Sequence, residues 1–293
     1  MKKDVSLVLS GGGARGTAHI GVIEELEKQG YNIHSITGTS MGALVGGIYA
    51  VGKLKEFKNW ITSLDKIDVF KLLDFTLGKQ GFIKGDKVFE SLKEFIPDFK
   101  IEDIEINYSA TATDLTNKKE ILFTKGSIYD AIRASIAIPN VLTPFKFKES
   151  ILVDGGVVNN IPINSAKRIK NDILIAVNVN ANVPLVKVKD KSDNYKDEEQ
   201  KLYQKTLKKI QKQFNRKFSH KDKDGLNSFD IMNESFEMMR EKLVVLALEK
   251  NPPDILIEIS GESCSVYNFY EAKKLIEIGQ KATVKSLKNA KKP

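Results

Sequence analysis

Ile33-His34-Ser35-Ile36-Thr37-Gly38-Thr39-Ser40-Met41-Gly42-Ala43-Leu44-Val45 is the stretch on which the reading of this chain turns. Ile33 to Thr37 is a short β-prone run. Ala43, Leu44, Val45, Ile48 and Tyr49 follow in a helical pattern. Between them lies Gly38-Thr39-Ser40-Met41-Gly42, of the form G-x-S-x-G. A strand, this pentapeptide and a helix form the context of a nucleophile elbow, a turn tight enough to strain its serine and expose the hydroxyl. Small flanking residues let the chain fold back. Ser40 would then stand at a helix N-terminus, where the backbone dipole favours developing negative charge. A plain glycine-flanked turn has the same letters, so the weight comes from what surrounds it.

Upstream, Val5 to Leu9 is an apolar run that meets Gly11-Gly12-Gly13. Ala18, Val22, Ile23 and Leu26 then recur at helical spacing until Gly30. Strand, turn and helix twice in succession argue for a parallel sheet with helices on its faces. The N-terminal run is too short for the core of a signal peptide and follows Asp4, so it is expected as a buried strand. No stretch approaches the roughly 20 apolar residues of a membrane span. Downstream, helices are expected around 57–64 and 88–95, strands at 106–113 and 120–124, and a helix from Ser127 that ends before Pro139. Ile151-Leu152-Val153 is a short strand leading into Asp154-Gly155-Gly156. Further strands are expected at 173–179 and 255–259, and helices at 229–248 and 267–287. The fold class is α/β, one domain over residues 1–293 with a charged helical insertion at about 187–224. That insertion carries few apolar residues, Leu202, Leu207, Ile210 and Phe214 among them, too few for a core of its own.

With 41% hydrophobic and 29% charged residues, the 293-residue chain is neither disordered nor fibrous in composition. A single cysteine, Cys264, excludes an internal disulfide framework and a cysteine zinc site. It fits a reducing, cytoplasmic setting. The net charge of +8 favours contact with anionic surfaces, lipid or nucleic acid. The basic residues are not interleaved with aromatics and form no helix-turn-helix or finger pattern, so nucleic acid is not an expected partner. One of two lysine-rich regions is expected to meet an anionic membrane peripherally, at about 1 kcal/mol per basic residue near the surface. One is the insertion, with Lys205, Lys208, Lys209, Lys212, Arg216 and Lys217. The other is the C-terminal helix, with Lys281, Lys285, Lys288, Lys291 and Lys292.

Gly11-Gly12-Gly13-Ala14-Arg15-Gly16 gathers backbone N–H groups before a helix, a nest suited to an anion. It could serve as an oxyanion hole. It also satisfies the dinucleotide pattern G-x-G-x-x-G, but the second strand ends at Ile36-Thr37-Gly38 with no acid for a ribose. Thr17 stands where a phosphate-binding loop would place lysine. For a base, the chain offers three histidines. His19 follows the glycine loop, His34 opens a strand far from the elbow, and His220 lies in the insertion. None sits in a strand-end loop, although a triad through His220 remains a rival. Asp154 does sit at a strand end, backed by two glycines, where it could take the Ser40 proton and return one to a leaving alkoxide. A simple Asp-Gly turn is the alternative.

Together, Gly11–Gly16, Gly38–Gly42 and Asp154–Gly156 resemble, in order and context, the motifs of the patatin-like phospholipases, and the small bacterial members most. Ala134-Ser135-Ile136-Ala137-Ile138-Pro139 is also similar to a segment of that family, and the resemblance covers residues 5 to about 180. It implies a three-layer α/β sandwich with a mainly parallel central sheet flanked by helices. It implies a catalytic Ser40–Asp154 dyad without histidine. The oxyanion hole would be built from Gly11, Gly12, Gly13, Ala14, Arg15 and Gly16, with the N–H groups around Gly12 and Gly13 foremost. Arg15 would assist that loop or meet a lipid phosphate. Gly38, Thr39, Met41 and Gly42 would form the nucleophile elbow, and Gly155 and Gly156 the acid/base loop. The implied reaction is hydrolysis of lipid carboxylic esters through an acyl-enzyme, as phospholipase A, lysophospholipase or esterase. The substrate would be a lipid or lysophospholipid, with no metal and no cofactor. An acyltransferase using the same serine and a low-activity regulatory protein on the same fold stand as alternatives. Nothing in the sequence sets an oligomeric state.

Overall fold

The computed structural model describes residues 3–72, 74, 83–186, 188 and 228–290. The chain divides into two compact units, Met1–Val188 with Leu243–Pro293, and Lys189–Lys242. Of the expected insertion only Val188 is described; its lysines, its apolar positions and His220 lie outside the described residues.

In chain order the elements are β1 (Lys3–Leu9), α1 (Ala18–Lys28), β2 (Tyr31–Thr39), α2 (Met41–Ala50), α3 (Leu54–Ser63), α4 (Lys66–Leu72), α5 (Asp86–Lys93), β3 (Asn107–Asp114), β4 (Lys119–Phe123), α6 (Ile128–Ser135), β5 (Phe145–Phe147), β6 (Ser150–Asp154), β7 (Ile173–Ala181), α7 (Ser228–Lys250), β8 (Ile255–Ser260) and α8 (Ala272–Ala290). The expected helices and strands fall within a few residues of these bounds, apart from α8, which starts five residues later than expected. The sequence reading takes 54–100 as mostly helical without singling out α4, and it lacks β5.

The eight strands form one sheet with the hydrogen-bonded path β5-β6-β3-β2-β1-β7-β8, and β4 pairs with β3. Strands β1, β2, β3, β7 and β8 run parallel. The hairpins β3–β4 and β5–β6 and the pair β3/β6 are antiparallel. This is the mainly parallel α/β sheet that was expected.

Alternation along the strands gives the sheet two unlike faces. Leu7 and Leu9, Ile36, Tyr108 and Ala110, and Ile175 and Val177 enter the main hydrophobic core together with residues of α1, α2, α6 and α8. The opposite face carries hydroxyls at the intervening positions: Ser6 and Ser10, Ser35, Thr37 and Thr39, and Ser109, Thr111 and Thr113, all buried. Its cover is the segment after β6, whose backbone carbonyls accept from them. Thr39 Oγ1 donates to Asn159 O (2.9 Å), and Ser35 Oγ donates to Lys167 O (2.7 Å). Among the described residues, a small apolar cluster of Val8, Ile161, Ile163, Leu174, Ala176 and Val244 completes this side.

A buried carboxylate fixes the far end of that cover. The Asp172 side chain is fully buried, and its Oδ2 lies 2.6 Å from Ser6 Oγ and 2.9 Å from His34 Nε2. Arg168 Nε donates to Oδ1 at 2.6 Å, and the Ile169 N–H donates to Oδ2 at 3.1 Å. Burial alone would raise the pKa of Asp172; the bonds from Ser6, Ile169, Arg168 and His34 outweigh it and hold the carboxyl well below the usual carboxylate range. A depressed folded-state value stabilises the fold above the ordinary carboxylate pKa, and the contribution is lost as pH falls below about 4. Asp172→Asn should therefore lower stability by about 3 kcal/mol, as removal of one partner of a buried pair does. In thermal melts from pH 7 to pH 3, the variant should start lower and fall less steeply on the acid side than the wild type. Parallel curves would mean that the carboxylate does not carry the acid sensitivity.

Candidate active site

Ser40 stands between β2 and α2 with φ 54° and ψ −124°, a positive φ that a non-glycine residue adopts only under constraint. The constraint is steric. A Cβ on Gly38 would lie 2.5 Å from the Gly42 carbonyl carbon, and one on Gly42 would collide with the Leu9 carbonyl oxygen. The turn closes only with glycine at both places, which is the physical content of the G-x-S-x-G pattern. The Ser40 N–H is held by Ser135 Oγ at 2.8 Å. Ser40 is 4% exposed.

Asp154 ends β6, and the pairing brings it to the serine. Residues Ala110 to Asp114 of β3 all pair with β4 on one edge. Ala110 and Thr111 also pair with Gly38 and Thr39 of β2, and Ala112 to Asp114 also pair with Asp154 to Leu152 of β6. A strand residue has two edges, so β2 and β6 share the edge opposite β4 and meet there end to end. Thr39 faces Thr111 and Asp154 faces Ala112, neighbouring positions roughly 3.3 Å apart along β3. Asp154 N–H donates to Ala137 O (2.9 Å), and Asp154 Oδ1 accepts from Gly156 N–H (2.7 Å). The segment that holds the Ser40 N–H through Ser135 thus also holds Asp154 through Ala137.

Asn160 lies beside both. A Cβ on Gly11 would come within 2.6 Å of Asn160 Oδ1 and 3.0 Å of Ser40 Cβ, and one on Gly156 within 2.8 Å of Asn160 Oδ1 and 3.0 Å of Asp154 Oδ1. The glycines of two separate motifs therefore make room for one buried amide.

The described histidines are otherwise engaged. His19 is fully buried and its Nε2–H donates to Ser10 O (2.8 Å). Burial pushes its pKa down to about 4, against the opposing effect of that bond, so the ring is neutral at physiological pH. His34 is at the opposite end of β2 from Ser40, in the Asp172 cluster. The Cys264 thiol is pushed up to about 11 by burial, with Glu271 adding to it, which keeps it protonated and unreactive.

The family model for patatin-like phospholipase matches residues 7–167, the part of the chain that holds Gly11, Ser40, Ser135, Asp154 and Asn160. This chain belongs to the patatin-like phospholipase family. An uncharacterized NTE family protein of Mycobacterium bovis is 30% identical over 335 aligned positions, which cover 97% of this chain and 91% of that protein. A lysophospholipase NTE1 of Yarrowia lipolytica is 33% identical over 183 positions, 60% of this chain and 12% of the relative. Among solved structures, VipD from Legionella pneumophila superposes with a TM-score of 0.48 at 14% identity, over 99% of this chain and 67% of that one.

The patatin-like glycine loop is more finely divided here than its motif suggests. Gly11 N–H donates to Asn160 O (3.0 Å) and Ala14 N–H to Val266 O (2.9 Å), so neither is available to an oxyanion. Arg15 closes the loop from behind. Its Nη2 and Nε donate to Asn180 Oδ1 (2.7 and 3.1 Å), and its Nη1 donates to Gly261 O (3.1 Å). Asn180 in turn donates from Nδ2 to Gly11 O (2.6 Å). Through Asn180 these bonds link Arg15 to the Gly11 carbonyl. Asn160, Asn180 and Ser135 were not singled out in the sequence as site residues. For the asparagines a signal was present, in polar pairs set into apolar strings, Asn159-Asn160 before Ile161 and Asn178-Val179-Asn180 ending β7.

Asn180→Ala removes the acceptor of Arg15 and the donor to Gly11 together. If the glycine loop forms the oxyanion hole, Asn180 would act through the loop and not on the reacting atoms, so the expected loss is about tenfold in kcat, well below the loss of a direct oxyanion donor. KM for a soluble ester should stay within about twofold. A rise in KM with kcat intact would assign Asn180 to substrate binding instead.

Proposed function

We propose that this chain hydrolyses carboxylic esters of lipids, as a phospholipase A, lysophospholipase or related esterase, with Ser40 as nucleophile and Asp154 as its acid/base partner. The observation that carries this reading is the end-to-end meeting of β2 and β6 on one edge of β3, which sets a strained serine beside a buried carboxylate in a family of phospholipases. The lysophospholipase relatives support the lipid ester as substrate.

In this mechanism Asp154 accepts the Ser40 proton as Oγ attacks the ester carbonyl. The oxyanion of the tetrahedral intermediate is stabilised by the N–H groups of Gly12 and Gly13, the remaining donors at the start of the glycine turn. Asp154 then gives its proton to the departing alkoxide, leaving an acyl-Ser40 ester. A water molecule, deprotonated by the same carboxylate, cleaves that ester and returns Ser40 and the free acid. Arg15 and Asn180 keep the glycine loop in register, while Ser135 and Ala137 keep nucleophile and carboxylate apart by a fixed distance. The elbow is already strained in the resting chain, so no reorganisation is needed when charge develops. The protein would act at an anionic membrane surface, in keeping with its net charge of +8.

Hydrolysis of a short-chain p-nitrophenyl ester and of a lysophospholipid should be lost on Ser40→Ala and on Asp154→Asn, each by about a thousandfold or more. Asp154→Asn with wild-type turnover would remove Asp154 from the reaction. Wild type that is labelled at Ser40 by a fluorophosphonate but transfers acyl groups only to added alcohols would be an acyltransferase.

A further inference from the structure

Two hairpin tips extend past the catalytic serine at the same end of the sheet. Thr39 is level with Thr111, and β3 runs on through Ala112, Thr113 and Asp114 before turning into β4. The β5–β6 hairpin turns alongside. The two turns are bonded to each other: Asn117 Nδ2 donates to Ser150 Oγ (3.2 Å), and Ile151 N–H donates to Thr116 Oγ1 (3.0 Å). Asp114, 1% exposed, ties the knot by accepting from Ser150 Oγ (2.8 Å), from Asn117 Nδ2 (2.8 Å) and from the N–H groups of Thr116 and Asn117. Each tip turns on a lysine with φ 54°, Lys118 and Lys148.

The outer surface of this double tip is basic and partly apolar. Lys118, Lys119, Lys146 and Lys148 are exposed, against one exposed acid at the turns, Glu149; Asp114 lies buried beneath them. Among the described residues none of these four lysines is drawn into an ion pair; the paired lysines are Lys28, Lys53, Lys58, Lys274 and Lys281. Between the turns Leu115 is 50% exposed and Ile151 40% exposed, and they are neighbours, with Leu115 N–H donating to Ile151 O (3.0 Å). Exposed lysines around exposed aliphatic side chains on a braced platform form the pattern of a surface that meets anionic headgroups and the upper acyl layer.

The geometry points to the paired β3–β4 and β5–β6 tips as the face that docks on an anionic phospholipid surface, setting the mouth of the site against the lipid. This rests on the lipid-ester reading above. It names a third place beside the two expected from the sequence, the C-terminal helix and the insertion, the latter lying outside the described residues apart from Val188. A basic residue close to such a surface is worth about a fivefold change in binding, and its effect fades with salt.

Sedimentation with phosphatidylcholine vesicles, with and without about 30% phosphatidylglycerol, tests this directly. The four-site variant Lys118→Asn, Lys119→Gln, Lys146→Gln, Lys148→Asn keeps asparagine where φ is positive, so the turns survive; equal melting confirms it. Wild type should bind the anionic vesicles more tightly at low salt. The variant should bind them at least 20-fold more weakly and lose activity on vesicle lipid, while keeping p-nitrophenyl ester activity within about twofold. A comparison variant with Lys281→Gln, Lys285→Gln and Lys288→Gln should bind as wild type. Undiminished binding by the tip variant, equal loss in the comparison variant, or no preference of wild type for anionic vesicles would each overturn the proposal. Binding needs no turnover, so a chain inert on every ester that still docks through its tips would sink the hydrolase reading and leave the docking face standing.

Discussion

The shared edge of β3 is the constraint on which the site depends. Two strands of opposite direction, β2 and β6, end against each other there, and neither end is free to move independently. Thr39 Oγ1 and Thr111 Oγ1 lie 2.5 Å apart, Thr113 Oγ1 donates to Asp154 O, and a Cβ on Gly155 would strike Thr111 Oγ1. The backbone on each side of the junction is tied to the end of α6, Ser40 through Ser135 and Asp154 through Ala137. A serine at positive φ costs of order 1–3 kcal/mol, and it persists only where surrounding contacts over-determine it. Here the glycine collisions at 38 and 42, the Ser135 bond and the α2 helix behind Met41 all specify the same turn.

The hydroxyl-rich face explains how an irregular loop can lie against the middle of a parallel sheet. Both faces of such a sheet are ordinarily buried by helices, with continuous apolar strands. In this protein the face under the site is covered instead by the run that follows Asp154. A loop brings unsatisfied carbonyls with it, and a buried carbonyl without a donor costs about 1–3 kcal/mol. Serine and threonine at alternate positions supply the donors. The arrangement lets Asn159 and Asn160 reach the site from below, with Asn160 O holding Gly11 and Asn159 O holding Thr39. The Asp172 cluster anchors the other end of the same cover.

What could be read from the sequence follows from the range of the forces involved. The elbow, the glycine loop and the Asp154 turn are local. Glycine at 38 and 42 and the switch from strand to helix pattern report on contacts within a few residues, so each was visible, and so was the parallel sheet, which comes from repeating the same unit. The short strand β5 was not seen, because Phe145-Lys146-Phe147 becomes a strand only by pairing with β6. The division of labour within Gly11–Gly16 was equally invisible. It depends on partners far along the chain, Asn160 for Gly11 and Asn180 for Arg15, and a single sequence carries no record of such pairings. The hydroxyl alternation in Ser35-Ile36-Thr37-Gly38-Thr39 was on the page as a period-two pattern, but its meaning required knowing that a loop lies over it.

The projecting tips follow from the way serine and carboxylate are assembled. For Asp154 to face Ser40 along the same edge of β3, its strand must arrive from the opposite direction, so an antiparallel strand enters an otherwise parallel sheet. That strand needs an edge to pair with beyond the end of β2, so β3 must outrun β2 by the length of the pairing, here Ala112 to Asp114, roughly 10 Å. The other edge of the extension must also be covered, since a bare edge invites aggregation, and β4 folds back over it. Two hairpins at the catalytic end of the sheet are thus a geometric consequence of the site. Their turns are surface positions free to carry lysine and exposed aliphatic residues without cost to the core. A buried carboxylate, Asp114, binds the two turns to each other, so the tips keep a fixed position relative to Ser40 and Asp154. Charge on a freely moving segment has no set direction relative to the site, whereas charge on a braced extension of β3 keeps one orientation toward Ser40 and Asp154.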